Sequence, residues 1–485
     1  MKSPGIALAL VLHALFFLWL FQLQYTGEEW ARVEARATDK STGAYARAIL
    51  QELGPMGLVT WFFSTHGETK LYYRYARLTL YGDVDYWINE ETQLIVASRP
   101  WPYRDVTIEY PPGALLAITL PALISSDYDG YRFWLGTWFG LLYMLNLFLG
   151  LQLAAGGNPS PSQVNRMLWG SVMFLLCFGG IVVSRFDHVV PAFVLLAAWA
   201  FARALGKEGK LALIGFGAFG LAAALGVLTK IVPGLVIPAA ILVLCLRGRN
   251  SNRLQSIAAS LGGLATGLVL LNALFFWLFG PGYFKTFTYH MQRGIQIESV
   301  YSGILLLVHL TGGGLLVDHS FGSTNIVSSF LTWELKRLSP WMFLGTALWI
   351  SRQVWKCRNA SREPEDQNVP PAYSLILITL IFLLAIILTS KVFSPQYLIW
   401  LGPLMAVLAA VRKDMVKIGV IFLLATALTQ VLFPHLYDFL ENFHPAMVAV
   451  LNLRNVLLVL VLILLVRDLP VLLRKNQEDE SSSES

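Results

Sequence analysis

"GIALALVLHALFFLWLFQL", residues 5–23, contains no charged side chain. About 20 consecutive apolar residues, rising ~1.5 Å each, cross the ~30 Å hydrocarbon core of a bilayer as a helix. The stretch therefore predicts a membrane-spanning helix. Only Lys2 precedes it, and no small-x-small cleavage pattern lies before "QYTGEEW" (24–30), so it reads as an uncleaved first span rather than a signal peptide. Near the other terminus, "NVLLVLVLILLV" (455–466) repeats the pattern.

Composition carries the same message along the whole chain. The 485 residues are 56% hydrophobic and 14% charged. Soluble globular proteins average about 45–50% apolar and about 25% charged. A soluble class is excluded, and membrane lipids are the surroundings. The net charge of +6 is explained by basic loops on one side of the membrane, so no nucleic-acid partner is expected. Of the three cysteines, Cys177 and Cys245 fall in apolar segments and Cys357 in a basic loop, which gives no disulfide framework.

Apolar segments fall at 5–24, 132–154, 166–183, 188–205, 211–229, 231–246, 256–279, 340–355, 372–389, 395–411, 415–433 and 446–466. Each is near the length of a spanning helix. The apolar pieces at 113–124 and 303–317 are short or broken by glycine and are expected to be interfacial or re-entrant. With the N-terminus inside, alternate counting puts "ARALGKEGK", "RGRNSNR", "SRQVWKCRNASREPEDQ", "VRKDMVK" and "RDLPVLLRKNQ" on one side, as the positive-inside bias requires. The fold class is thus an all-α polytopic membrane protein of about twelve spans. It forms a single membrane domain over 1–470, with a long first outer loop at 25–112 and a second at 280–339. Residues 471–485, ending in the acidic and Ser-rich "NQEDESSSES", are expected to be a disordered cytoplasmic tail. No repeat of 20–50 residues is visible.

The outer side receives the polar residues. "YGDVDYWINEET" (81–92) carries Asp83 and Asp85, with Glu90 and Glu91 behind them as solvated residues. The two aspartates suit a helix cap, a wet loop or a base that takes a proton from a hydroxyl. Two carboxylates supply too few oxygens for Ca²⁺. "YRDVTIEYPPG" (103–113) puts Glu109 and Tyr110 at a membrane boundary, where the prolines start a helix. "SRFDHVVP" (184–191) holds Arg185, Asp187 and His188, which suit a helix-end salt bridge or a ligand contact.

Arg185, Lys230 in "LTKIVP" and Lys391 in "SKVFSPQYLIW" oppose the positive-inside bias. They are expected near the interface, snorkelling, where three isolated cations suit an anionic ligand such as a lipid phosphate. "YHMQRGIQIES" (289–299) concentrates His290, Arg293 and Glu298, which suit either a solvated loop or a carbohydrate or phosphate contact. His309 and His319 read as ordinary polar residues. No H-E-x-x-H, cysteine pair, P-loop or dinucleotide fingerprint is present, so neither a metal site nor a cofactor is expected.

Taken together, "GDVDYW", "ASRPWPYRDVTIEYPPGALLAITLPAL", "RFDHVVPAFVLLAAWA", "LTKIVPGLVIPA", "RGIQIESVYSG" and "KVFSPQYLIWLGP" resemble the GT-C membrane glycosyltransferases. The nearest similarity is to glycosyltransferase family 87, which includes polyprenol-phosphate-mannose-dependent mannosyltransferases. The first and last motifs are also similar to the catalytic subunit of GPI mannosyltransferase I. The resemblance runs from about residue 80 to 403. It implies a GT-C-like bundle whose first outer loop carries interfacial helices. It also implies a polyprenyl-phosphate sugar donor, a lipid or glycan acceptor, and an inverting reaction at the extracytoplasmic face of a plasma (inner) membrane.

The family's Asp base maps to Asp83, with Asp85 second. Its basic groups near the donor phosphate map to Arg185, Lys230, Arg293 or Lys391, with Asp187, His188, His290, Glu298, Gln396, Tyr397, Glu109 and Tyr110 around the substrate. A single phosphate on the leaving group makes a metal unnecessary. Residues 25–80, including "GPMGLVTWFFSTHGETK", are longer than the family's loop, which leaves the acceptor open. The rival readings are a transporter or flippase of lipid-linked sugars and a non-catalytic scaffold.

Overall fold

Proline and glycine set many of the helix limits. The computed structural model describes residues 4–25, 42–63, 68–82, 100–154, 156, 159–246, 252–328, 331–360 and 371–473. Asp83, Asp85, Glu90 and Glu91 lie outside the described residues. Helix α1 runs Pro4–Tyr25, α2 Thr42–Phe63, α3 Glu68–Tyr81, α4 Pro112–Thr119, α5 Tyr128–Ala154 and α6 Pro161–Phe178. Ser160 caps α6 reciprocally with Gln163 while Pro161 takes the first position, where its missing N–H costs nothing. Gly179, at φ 59°, ends it. Further along are α7 Val189–Leu205, α8 Gly209–Thr229, α9 Val236–Leu246, α10 Arg253–Phe279 and α11 Lys285–Gln292.

The chain continues with strand β1 Ile295–Gln296, α12 Val300–Leu310, β2 Leu315–Ser320 and β3 Ser323–Ser328. It finishes with α13 Thr332–Ala360, α14 Pro371–Thr389, α15 Gly402–Val411, α16 Asp414–Leu432, α17 Tyr437–Glu441 and α18 Pro445–Arg467.

Among the described residues, seven helical runs are long and apolar enough to cross a membrane: 128–154, 186–205, 209–229, 253–292, 372–389, 414–432 and 445–467. The chain is a polytopic, predominantly helical membrane protein. Two other expected spans are broken. Segment 231–246 opens as a 3₁₀ turn, Val232–Leu235, before α9, and segment 395–411 opens as a 3₁₀ stretch, Pro395–Trp400, before α15. Pro233 and Pro395 stand in the first turn of each break.

The all-α class holds, with one small local exception among the described residues. The second outer segment holds a three-stranded antiparallel sheet, ordered β1-β3-β2. The apolar piece at 303–317 is helix to Leu310 and strand only from Leu315, with Gly312, Gly313 and Gly314 lying between α12 and β2. β2 and β3 are joined through Phe321 and Gly322, both at positive φ, the geometry of a two-residue hairpin turn.

Helix α14 is the most deeply buried span, packed by α7, α9, α13, α15 and α18. Helices α8 and α10 approach through glycines: a Cβ at Gly220 would overlap the Ser260 carbonyl, and one at Gly263 the Gly217 carbonyl. Small residues permit such close approach where lipid offers no competing hydrophobic drive. At one end of the bundle, basic residues tie the predicted inner links together: Arg166 Nη2 donates to Ala410 O at 2.6 Å and Arg412 Nη1 to Val471 O at 2.9 Å.

Candidate functional site

The site begins where two helices stop short of their neighbours. After α6 the chain makes one turn, passes through extended Arg185 and forms a 3₁₀ turn, Phe186–His188, that leads into α7. Helix α8 ends at Lys230, also extended, just ahead of Pro233. These two ends meet. Lys230 Nζ donates to Asp187 Oδ1 at 2.6 Å, and Trp400 Nε1 donates to the same oxygen at 2.6 Å. The ammonium lies 4.8 Å from the Phe186 ring centroid, 5.0 Å from Trp400 and 5.4 Å from Tyr397, within cation–π range. Asp187 Oδ2 is buried without a hydrogen-bond partner.

One open alternative is decided here and one expectation changes. The partner of Asp187 is Lys230 rather than its sequence neighbour Arg185. Arg185 does not snorkel: it is 4% exposed, with its guanidinium 6.0 Å from the Phe433 ring centroid and within electrostatic reach of Glu298.

A second group adjoins the first. Tyr289 Oη donates to Glu109 Oε2 at 3.0 Å, and His290 Nε2 lies 3.0 Å from Glu109 O. Thr286 Oγ1 donates to Ile108 O at 3.0 Å, so α11 is seated on the segment that precedes α4. Arg293 lies within electrostatic reach of His290, Tyr397 and Lys391. Tyr397 stacks on Trp400 at 4.1 Å, which joins this group to Asp187. Lys391 Nζ donates to Met291 O and Arg293 O, at 2.7 and 2.9 Å. Burial first, then Lys336 and Arg293, push its ammonium down to about 8. Gln396 Oε1 accepts from Ser394 Oγ at 2.7 Å.

Helix α3 approaches this end through tyrosines. Tyr72 packs on Tyr110 and Phe186, each at 5.9 Å, and Tyr75 packs on Tyr110 at 6.1 Å. Tyr110 in turn lies 5.0 Å from Phe186, beside Asp187. The chain leaves α3 at Gly82, at φ 64°, and the next residue is Asp83. His188 points elsewhere: it is fully buried, its Nε2 lies 2.7 Å from Val182 O, and its ring is edge-on to Tyr143.

No family model, curated protein or solved structure matches the chain.

A third group lies deeper. Glu298 is 1% exposed; Gln296 Nε2 donates to its Oε2 at 3.4 Å, while Oε1 has no hydrogen-bond partner. Burial pushes its carboxyl up to about 8, against the opposing pull of Arg454 and Arg185. Arg454, fully buried in α18, donates from Nη2 to Glu298 O at 2.7 Å and covers the Phe393 ring at 4.0 Å.

Sequence reasoning missed Arg454 and Trp400. Arg454 had a signal, since a charge inside a span costs ~2.5–3.5 kcal/mol on insertion scales and marks function or pairing. Trp400 had none, because an indole inside an apolar run reads as packing. Among the described residues no group of three or more His, Cys, Asp and Glu side chains is placed to hold a metal ion. What the arrangement offers is a cationic surface, Lys230, Arg293 and Lys391, beside the carboxylates of Glu109 and Asp187.

Proposed function

We propose that the chain is a GT-C-type membrane glycosyltransferase of about twelve spans. It transfers a sugar, mannose by family resemblance, from a polyprenyl phosphate to a lipid or glycan hydroxyl at the extracytoplasmic face. One observation carries the reading. Glu109, Asp187, Lys230, Arg293 and Tyr397, from five separate links of the sequence, converge at one end of the bundle, the end that α3 approaches before Asp83.

In this mechanism Asp83 takes the proton of the acceptor hydroxyl, with Asp85 the second choice. The acceptor oxygen bonds to the anomeric carbon from the face opposite the phosphate. The carbon–oxygen bond to the phosphate breaks, and its electron pair leaves on the lipid phosphate. Inversion follows, and the proton on Asp83 passes to water. Arg293 and Lys230 oppose the charge developing on the phosphate, as fixed cations do at developing anions.

The test is a donor screen. The full chain in nanodiscs is given mannosyl, glucosyl and arabinofuranosyl polyprenyl phosphates with hydroxyl acceptors. Transfer from one donor supports the reading. A folded protein that transfers none of them defeats it.

A second reading is a transporter of lipid-linked sugars. The 3₁₀ breaks at Val232–Leu235 and Pro395–Trp400, with Arg454 inside α18, are features that transporters use. Movement of an intact labelled donor across proteoliposomes, with no sugar release, would select it.

A further inference from the structure

The turn after α11 is held by a residue about a hundred positions further along the chain. Lys391 Nζ donates to Met291 O at 2.7 Å and to Arg293 O at 2.9 Å. The last carbonyls of a helix have no partner within it and carry the negative end of its dipole, so an ammonium there satisfies both. The Lys391 backbone is fixed as well. Its N–H donates to Ser339 Oγ at 3.1 Å, Ser339 Oγ donates to Thr389 O at 2.9 Å, and Gln296 N donates to Lys391 O at 2.9 Å. One lysine, placed just after α14 and hooked to Ser339 of α13, thereby ties down the end of α11 and the start of β1.

Beyond the turn the chain is held by the pairing of β1 with β3 and by Ile297 N–H donating to Thr324 O. At the turn itself Arg293 N–H donates to Tyr289 O, so Lys391 adds the side-chain tie on the 291–293 carbonyls. Arg293 closes α11 with an extended backbone (ψ 145°), Gly294 follows, and β1 is only two residues long. A lysine ammonium has three protons, and two of them go to carbonyl oxygens. The first charged causes acting on Lys391 are other cations, Lys336 and Arg293. Arg293, by contrast, keeps a buried Nε without a hydrogen-bond partner and lies beside Tyr397 and His290.

We propose that Lys391 is a positioning residue that clasps the 291–293 turn and holds the Arg293 guanidinium at the site, leaving Arg293 and not Lys391 to meet an anionic ligand. The clasp stands on the geometry alone, and the ligand rests on the glycosyl-transfer reading.

Amide hydrogen exchange of the full chain in nanodiscs, read on peptides covering 291–298, tests the clasp without any substrate. Lys391→Met is expected to speed exchange there about tenfold, the scale of one lost hydrogen bond, with the global melting temperature preserved. Lys391→Arg, which keeps donors at that place, is expected to return exchange to within about twofold of the parent. Unchanged exchange in Lys391→Met overturns the clasp, as does failure of Lys391→Arg to restore it. If Lys391→Met does not fold, Ser339→Ala unhooks the Lys391 N–H and is read on the same peptides: faster exchange supports the clasp and unchanged exchange overturns it.

The second arm uses a mannosyl polyprenyl phosphate. Lys391→Met is expected to raise KM for the donor and Lys391→Arg to restore it, while Arg293→Met lowers transfer with exchange at 291–298 unaltered. A looser turn with unchanged donor KM overturns the positioning role. If the parent chain transfers no sugar, the glycosyl-transfer reading fails, and the exchange arm still decides the clasp.

Discussion

Lys230 Nζ and Asp187 Oδ1 stand 2.6 Å apart across 43 residues of sequence, with the Asp187 side chain 1% exposed and the Lys230 side chain 17% exposed. Three aromatic rings and the Trp400 indole N–H surround the pair. Removing one partner of a buried pair strands the other charge, at a cost of about 3–5 kcal/mol. Lys230→Met and Asp187→Asn are each expected to lower stability by that order, and the double variant by less than their sum. Thermal melts of the four proteins in one detergent check this. Additive losses would mean that the pair is not coupled.

Glu298 makes stability depend on pH in a definite direction. Its carboxyl sits at about 8 when folded, above its ordinary value of 4.5. A raised folded value contributes stability that is fully present below the unfolded value and is lost as pH rises through the folded one. The parent chain is therefore expected to lose stability between about pH 4.5 and pH 8 relative to Glu298→Gln. Lys391, pushed down to about 8 from 10.5, acts the other way and higher up: its penalty eases as pH rises from about 8 to 10.5. Comparing melts of the parent and Glu298→Gln from about pH 4.5 to 8 reads the carboxyl, because Lys391 acts from about pH 8 upward. A pH-independent difference between parent and Glu298→Gln would refute the assignment.

Loss of a general base costs about 10²–10⁴ in rate. Asp83→Asn is expected to reduce sugar transfer by that order in a protein that still folds. Asp85→Asn is expected to reduce it less. Release of polyprenyl phosphate measures both, and full activity in Asp83→Asn would remove Asp83 from the role.

The α8–α10 contact tolerates no side chain at its centre. Gly220→Leu and Gly263→Leu must push apart backbones that a single Cβ would already overlap. Overpacking of this kind costs about 1–3 kcal/mol or more. Reduced melting temperature and yield are expected, whereas Gly217→Ala, with open space around its Cβ position, is expected to change little.

Much of this was legible from residue order. Segments 211–229, 372–389 and 415–433 match α8, α14 and α16 to within a few residues, because helix length and apolarity are local properties of a chain in lipid. Of the cations that oppose the positive-inside bias, Lys230 lies by Tyr397 and Lys391 by Arg293, whereas Arg185 is buried beside Phe433. Other features were not legible. A 3₁₀ opening such as Pro395–Trp400 has the same apolar composition as an α-helix, and residues 315–317 became strand only because β3 was present to pair with them.

The sequence by itself determined that the chain enters a membrane, which segments are apolar enough to be buried there, and which charges had to find an exit or a partner. Those follow from transfer free energies that each segment carries alone. Only the tertiary structure decided the partners: Asp187 with Lys230 rather than Arg185, Lys391 with two backbone carbonyls, and Arg454 with the Glu298 carbonyl. Pairing depends on which helix ends meet in space, and it is settled by the packing of α7, α8, α14 and α18 together, not by any one of them.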